Sequence, residues 1–368
     1  MKTLIYFNIL FLTAILFVSC LEESNSLLSE FGYENAAELL VYLEGNNDYI
    51  NSNSFPSIIS AEEVNDNLSN CLVIDIRSQE EFIKGHISTA INIQNSNLFE
   101  FLRAKQNLNL AIVLVSSSGQ TASYYTGLLR IYGYNNVFAL RYGMAAWHSD
   151  FADIWTNLIP TGRPDEEPLD YLDNKFYSLP NYSNLPNISY ENKSLNIKQK
   201  LEGRIAQLLQ VEFLTDSILN SDGLVLDDTR PSVLNVEVIS QLDSAHTSFE
   251  NMFVICYGSI DLYLFPGSIG GDEDGHLVSA VFYDKNKNTF SSSTNLQKIP
   301  LGKTIVVYSN SGHSSAFVVA YLRVLGYDAK SLLFGGNSLS YRRMKSSQVL
   351  SEFTFKEADI MNYPYEGG

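Results

Sequence analysis

The chain has 368 residues, 45% apolar and 18% charged, which suits two globular domains with additions. Its formal charge of −17 repels phosphate backbones and anionic lipid, so neither nucleic-acid binding nor electrostatic membrane docking is expected. Three cysteines are too few for a disulfide framework, and no Cys or His spacing suits a metal or asks for a cofactor.

Lys2 precedes an apolar run from Leu4 to Val18, broken by Asn8 and Thr13. The run is short for a membrane span and suits a signal-peptide core. Its end, Leu16-Phe17-Val18-Ser19-Cys20, resembles a bacterial lipobox, with Phe17 where Leu is usual. The expectation is removal of residues 1–19, lipidation of Cys20, and a protein anchored by lipid at the cell envelope, in the inner or outer membrane or at the cell surface. A signal peptide cut elsewhere and an uncleaved anchor are the alternatives. Residues 20–57 read as a tether with a short helix near Ala36 to Leu43.

The first domain is expected over 58–150. It opens at Ile58-Ile59 with Ser60 as a helix N-cap and Glu63 three residues on. Leu72 to Ile76 reads as a strand ending in Asp75-Ile76-Arg77, followed by Gly85-His86-Ile87. Ile112 to Val115 is a buried strand running into the polar loop Ser116-Ser117-Ser118-Gly119-Gln120-Thr121. An amphipathic helix, Tyr124 to Tyr132, ends at Gly133-Tyr134. A strand, Val137 to Leu140, then leads to Gly143.

Residues 151–200 carry Pro160, Pro164, Pro168, Pro180 and Pro186 and read as an irregular connector packed in part through aromatics. The order then repeats over a second domain, 201–345, with 346–368 as a tail. Leu224 to Arg230 matches the Asp-x-Arg strand, and Gly275-His276-Leu277 matches the Gly-His turn. Ile305 to Tyr308 leads into Ser309-Asn310-Ser311-Gly312-His313-Ser314, and a helix from Ala316 to Leu325 ends at Gly326-Tyr327. Ser116 to Gly133 and Ser309 to Gly326 are both 17 residues; Gly133 to Gly143 and Gly326 to Gly336 are both 10. Arg77 to Gly85 is 8 residues but Arg230 to Gly275 is 45, which places an insertion at about 234–273. This alternation implies an α/β fold with a mainly parallel sheet in each half.

Asp75-Ile76-Arg77, Glu80-Glu81-Phe82-Ile83-Lys84-Gly85-His86-Ile87 and Gly143-Met144-Ala145-Ala146-Trp147 resemble the hallmarks of the rhodanese family, in family order. The second half resembles it more loosely, with the Glu-Phe segment displaced and Ser340 where the Trp would stand. The resemblance implies two rhodanese-like domains, each a mainly parallel five-stranded sheet flanked by helices. It also implies sulfur transfer through a cysteine that opens the loop after the central strand. In this sequence those positions are Ser116 and Ser309, and a hydroxyl cannot carry a persulfide. Ser117, Thr121, Asn310 and Ser314 are neutral where the family commonly has cations, while Gly119 and Gly312 could preserve a backbone nest for anions.

The leading expectation is therefore a catalytically inactive tandem module that binds or scaffolds an unidentified protein partner at the envelope. One alternative is sulfurtransferase or thiol-redox work through Cys256. Another is a small-anion binder using the loops Ser117 to Thr121 and Asn310 to Ser314. Serine hydrolysis would need an oriented base, and His313, four residues after Ser309, has no readable Asp partner.

Overall fold

A computed structural model describes residues 32–105, 109–157, 171–181, 183–190, 194–213, 229–245, 247–264 and 275–367. Cys20, the segment 1–19 and Leu224 to Asp228 lie outside the described residues.

The described residues begin with β1 (Gly32–Asn35) and α1 (Ala37–Gly45). The first domain runs β2 (Ile58–Ile59), α2 (Ala61–Asp66), β3 (Cys71–Asp75), α3 (Gln79–Lys84), β4 (Ile91–Asn92), α4 (Leu98–Ala104), β5 (Ala111–Val115), α5 (Gln120–Tyr132), β6 (Val137–Leu140) and α6 (Met144–Trp147). Its sheet has the order β2-β6-β5-β3-β4, all parallel. The central strand reads Ala-Ile-Val-Leu-Val and is buried from Ile112 onward, as expected for a strand covered on both faces. Ser60 caps α2 as expected: its hydroxyl accepts from Glu63 N at 3.1 Å, and Glu63 Oε2 accepts from Ser60 N at 2.9 Å. Ser60→Ala is expected to lower the unfolding free energy by about 1 kcal/mol. Urea unfolding would register this as a lower midpoint at unchanged slope; an unchanged midpoint would show that the cap contributes nothing here.

The connector supplies α7 (Asp153–Thr156), β7 (Leu172–Asp173) and β8 (Asn187–Tyr190), which pairs antiparallel with β1. Next come α8 (Ile197–Leu209), β9 (Ser232–Val233), α9 (Asn235–Ile239), β10 (Met252–Gly258), α10 (Ile260–Leu264), β11 (His276–Leu277), β12 (Val281–Asp284), β13 (Thr304–Tyr308), α11 (His313–Val324), β14 (Ala329–Leu332) and α12 (Gly336–Ser346). The second sheet, β9-β14-β13-β10-β12, is again parallel throughout and repeats the order of the first. Among the described residues, each half is thus a five-stranded parallel sheet with helices. No helix there is long and apolar enough to cross a membrane.

Three details of the repeat are corrected. The partner of β3 in the second half is β10, which lies between the central strand and the far edge strand as β3 does. The segment 234–273 is therefore not one insertion, because it contains β10 and α10, integral parts of the domain. Register makes this specific: Asp75 pairs with Val115, the residue before Ser116, and Cys256 pairs with Tyr308, the residue before Ser309. Cys256-Tyr257-Gly258 thus stands where Asp75-Ile76-Arg77 stands. Arg230 instead precedes edge strand β9 and pairs with buried Glu237 at 2.7 Å.

The Glu-Phe segment is likewise present in altered form. His86 stacks on Phe82 at 3.8 Å, and His276 stacks on Tyr263 of α10 at 3.7 Å. The extra residues therefore fall before β10 and after α10.

The third correction concerns Gly143. Its partner is Gly335, not Gly336. Gly143 has φ +60° and Gly335 +54°, and a Cβ would meet the carbonyl oxygen of Ser116 at 1.9 Å and of Ser309 at 2.0 Å, respectively. Each is preceded by a left-handed aromatic residue, Tyr142 (φ 59°) and Phe334 (φ 62°). The place of Trp147 is then taken by buried Leu339, and Ser340 sits at a kink.

The two halves pack through α5 and α11. Each is buried nearly all round, between its own sheet and the other helix. Gly127 permits the close approach, since a Cβ there would lie 3.0 Å from Ala320 Cβ. The connector and the tail then strap opposite halves. β7 pairs with β11 beside His276, while His86 and Glu366 exchange backbone hydrogen bonds at 2.8 and 2.9 Å. Trp147 Nε1 also donates to Pro364 O at 2.9 Å.

Candidate functional site

Each central strand ends at a serine, and a left-handed glycine four positions into the loop turns the chain into the following helix. Gly119 has φ 82° and Gly312 φ 80°. In the first loop, Ser116 Oγ accepts from Gly119 N at 3.1 Å and Ala122 N at 3.2 Å. In the second, Ser309 Oγ accepts from Ser315 N at 3.1 Å. Both serines are buried, at 3% exposure each. The first oxygen thus takes up one loop amide and one amide from the first turn of α5, and the second takes up one amide from the first turn of α11. Backbone bonds from Met144 N to Ser116 O and Gly336 N to Ser309 O, both 2.9 Å, fasten the loops to the turns after β6 and β14.

The loops face separate cavities. The first, of about 800 Å³, takes in Ser116, Ser117, Ser118 and Thr121. Four carboxylates line it: Glu80, Glu81, Asp153 and Glu212. Ser117 Oγ donates to Glu81 Oε1 at 2.8 Å. Of its cations, Arg77 is committed to Asp75 at 2.6 Å and to Gly85 O at 2.6 Å, and Lys84 pairs with Glu80 at 2.8 Å. The lining of this cavity thus carries more negative than positive charge.

The second, of about 400 Å³, takes in Ser309, Asn310, Ser311, His313 and Ser314. Its lining includes Arg141 and Lys285 and no carboxylate. Arg141 belongs to the first domain, so the cavity is built by both halves. Sequence reasoning missed both cations: Arg141 lies in the other repeat, and Lys285 follows β12, far from any loop motif.

Gln120 and His313 hold equivalent places, and neither serves its own loop as a ligand group. Gln120 Oε1 accepts from Phe334 N at 3.1 Å, and His313 Nε2 accepts from Tyr142 N at 3.0 Å. Each half thus caps the left-handed aromatic residue of the other. Because His313 Nε2 accepts, the ring proton lies on Nδ1 and donates to Ser311 Oγ at 3.0 Å. Burial, with the nearby Arg141 charge, pushes the His313 pKa down to about 3. His313 is therefore neutral at ordinary pH and occupied structurally.

Cys256 lines neither cavity. It is fully buried, and burial pushes its thiol up to about 12, so almost no thiolate forms at neutral pH. Cys71 is half-buried at the start of β3, and its thiol is also raised by burial. Among the described residues no group of three or more His, Cys, Asp or Glu is arranged to hold a metal.

Residues 60–150 match the family described as a rhodanese-like domain. Thiosulfate sulfurtransferase GlpE of Shewanella oneidensis is 32% identical over 76 residues, covering 21% of this chain and 74% of that protein. GlpE of Pseudomonas fluorescens is 28% identical over 80 residues, covering 22% and 72%. Among solved structures, a rhodanese-related protein from Thermoplasma volcanium is 24% identical, covers 24% of this chain and 85% of that one, and has a TM-score of 0.22. Wild-type EanB is 13% identical, covers 85% and 98%, and has a TM-score of 0.23.

Proposed function

The chain belongs to the rhodanese-like family, and we propose that it is a tandem member that binds without transferring sulfur, held at the bacterial cell envelope by lipid on Cys20. One observation carries the reading: at both positions where the family's cysteine would stand the residue is a buried serine, its oxygen already accepting from backbone amides. Serine has no sulfur to hold as a persulfide. The neutral residues Ser117, Thr121, Asn310 and Ser314 supply no charge to the loops. The enclosed thiol of Cys256 speaks against a relocated nucleophile. Acyl chains on Cys20 would supply the membrane affinity that the acidic chain lacks.

The test is a thiosulfate:cyanide assay on the purified mature protein. No turnover above the buffer rate is expected, and turnover removed by Cys256→Ser would overturn the reading.

A second reading is favoured by the contrast in charge between the cavities. The cavity of the second half, with Arg141 and Lys285 and no carboxylate, suits a small oxyanion; the carboxylate-lined one does not. Sulfate, thiosulfate and phosphate are the probes, read as thermal shift. Ligand at 100 times Kd adds about 2.7 kcal/mol of stability. The gain should vanish in the Arg141→Ala, Lys285→Ala double variant. An equal gain in that variant would place the anion elsewhere, and no gain with millimolar ligand would end this reading.

A further inference from the structure

A third cavity, of about 490 Å³, opens at the opposite end of α5 from the two loops. A helix of 13 residues puts it about 20 Å away from them. It is of ligand-site size and lies where the halves meet, since Tyr321 of α11 lines it together with residues at the ends of α1 and α5 and just after them. Its walls combine two kinds of surface. Tyr42 and Tyr132, both half-buried, offer aromatic rings. Asn46, Asn47 and Asn135, all exposed, offer amides.

The amides are sparsely used. Asn46 Nδ2 donates to Tyr42 O at 2.8 Å, and Asn47 Nδ2 donates to Asn135 Oδ1 at 3.4 Å. An amide carries two donor hydrogens and two acceptor lone pairs, so most of that capacity remains for a ligand. Asn47 (φ 84°) and Asp48 (φ 36°) are consecutive left-handed residues at the rim. Such positions gather at ligand clamps, where surrounding structure holds them. Asp48 N is fixed to Leu43 O at 3.1 Å, and its carboxylate to Asn51 Nδ2 at 2.9 Å.

The charges do not select an ion. Asp48 and Lys198 oppose each other in sign. Buried Arg130 is spent on Val137 O at 2.8 Å and on the rings of Tyr49 and Phe138.

We propose that this cavity binds a neutral, polyhydroxylated ligand of the mono- or disaccharide class. The C–H face of a sugar ring packs on Tyr42 or Tyr132, and its hydroxyls pair with the Asn amides and Asp48. This is independent of the sulfur and anion readings above, and its test shares no residue with theirs.

The experiment is saturation-transfer NMR and calorimetry on the full mature chain with glucose, galactose, N-acetylglucosamine and maltose. At least one is expected to bind saturably with Kd near 1 mM or below, about −4 kcal/mol. Tyr42→Ala and Asn47→Gly are each expected to weaken it at least about tenfold. Asn47→Gly removes the amide while keeping the left-handed backbone, so the fold is retained. No binding of any of the four at about 20 mM would overturn the proposal, as would binding that both variants leave unchanged.

Discussion

His313→Ala is expected to lower the unfolding free energy by about 4 kcal/mol, and His313→Gln by about 1 kcal/mol or less. The imidazole is 2% exposed, lies parallel to Trp155 at 6.0 Å and meets Tyr142 edge-on at 5.3 Å. Alanine leaves a cavity among these rings and strips Tyr142 N of its acceptor inside the interface. Glutamine is the side chain that the other half already uses at the same place, where Gln120 accepts from Phe334 N. Urea unfolding of the three proteins measures both numbers; equal losses in the two variants would remove the hydrogen bond from the account.

The same residue sets a pH dependence. His313 titrates at about 3 in the fold and near 6.5 when unfolded. Below pH 6.5 the unfolded chain takes up a proton that the native chain refuses. Stability is therefore fully present above pH 6.5 and falls as pH drops towards 3, by roughly 4 kcal/mol in total. His276, also lowered by burial, contributes with the same sign. His313→Gln should flatten the profile between pH 6.5 and 4, leaving the His276 part; a profile unchanged in the variant would contradict the assignment.

The first domain was legible because its signals lie close together. Asp75, Arg77, Phe82, Gly85 and His86 fall within 12 residues, and their spacing sets one register. In the second half the charged pair drew the match to Leu224 to Arg230, whereas the strand that occupies that place is Met252 to Gly258. A buried parallel strand is a plain apolar run, and such runs identify strands without ranking them. The adjacent glycines Gly335 and Gly336 made a one-residue slip invisible until φ distinguished them. The contacts of Gln120, His313 and Arg141 were not readable at all. They cross between halves, and motif spacing within one half carries no information about the other.

The buried ion pair of Asp75 and Arg77 gives the second large effect. Arg77→Met is expected to cost about 3–5 kcal/mol, because it strands a carboxylate that is wholly buried. Arg77 meets Asp75 through Nε at 3.0 Å and a terminal nitrogen at 2.6 Å, and that nitrogen also donates to Gly85 O at 2.6 Å. Asp75→Cys should cost a similar amount by stranding the guanidinium. The second half holds the same strand register with Cys256 and Gly258, so the fold itself does not require the ion pair. An apolar pair can replace a buried ion pair at little cost once neither charge remains. The Asp75→Cys, Arg77→Met double variant is therefore expected to be more stable than either single variant, with a coupling energy of about 2 kcal/mol or more in a urea-unfolding cycle. Strictly additive losses would mean that the two side chains act through separate contacts, and the exchange of Asp for Cys between the halves would then need packing rather than charge as its explanation.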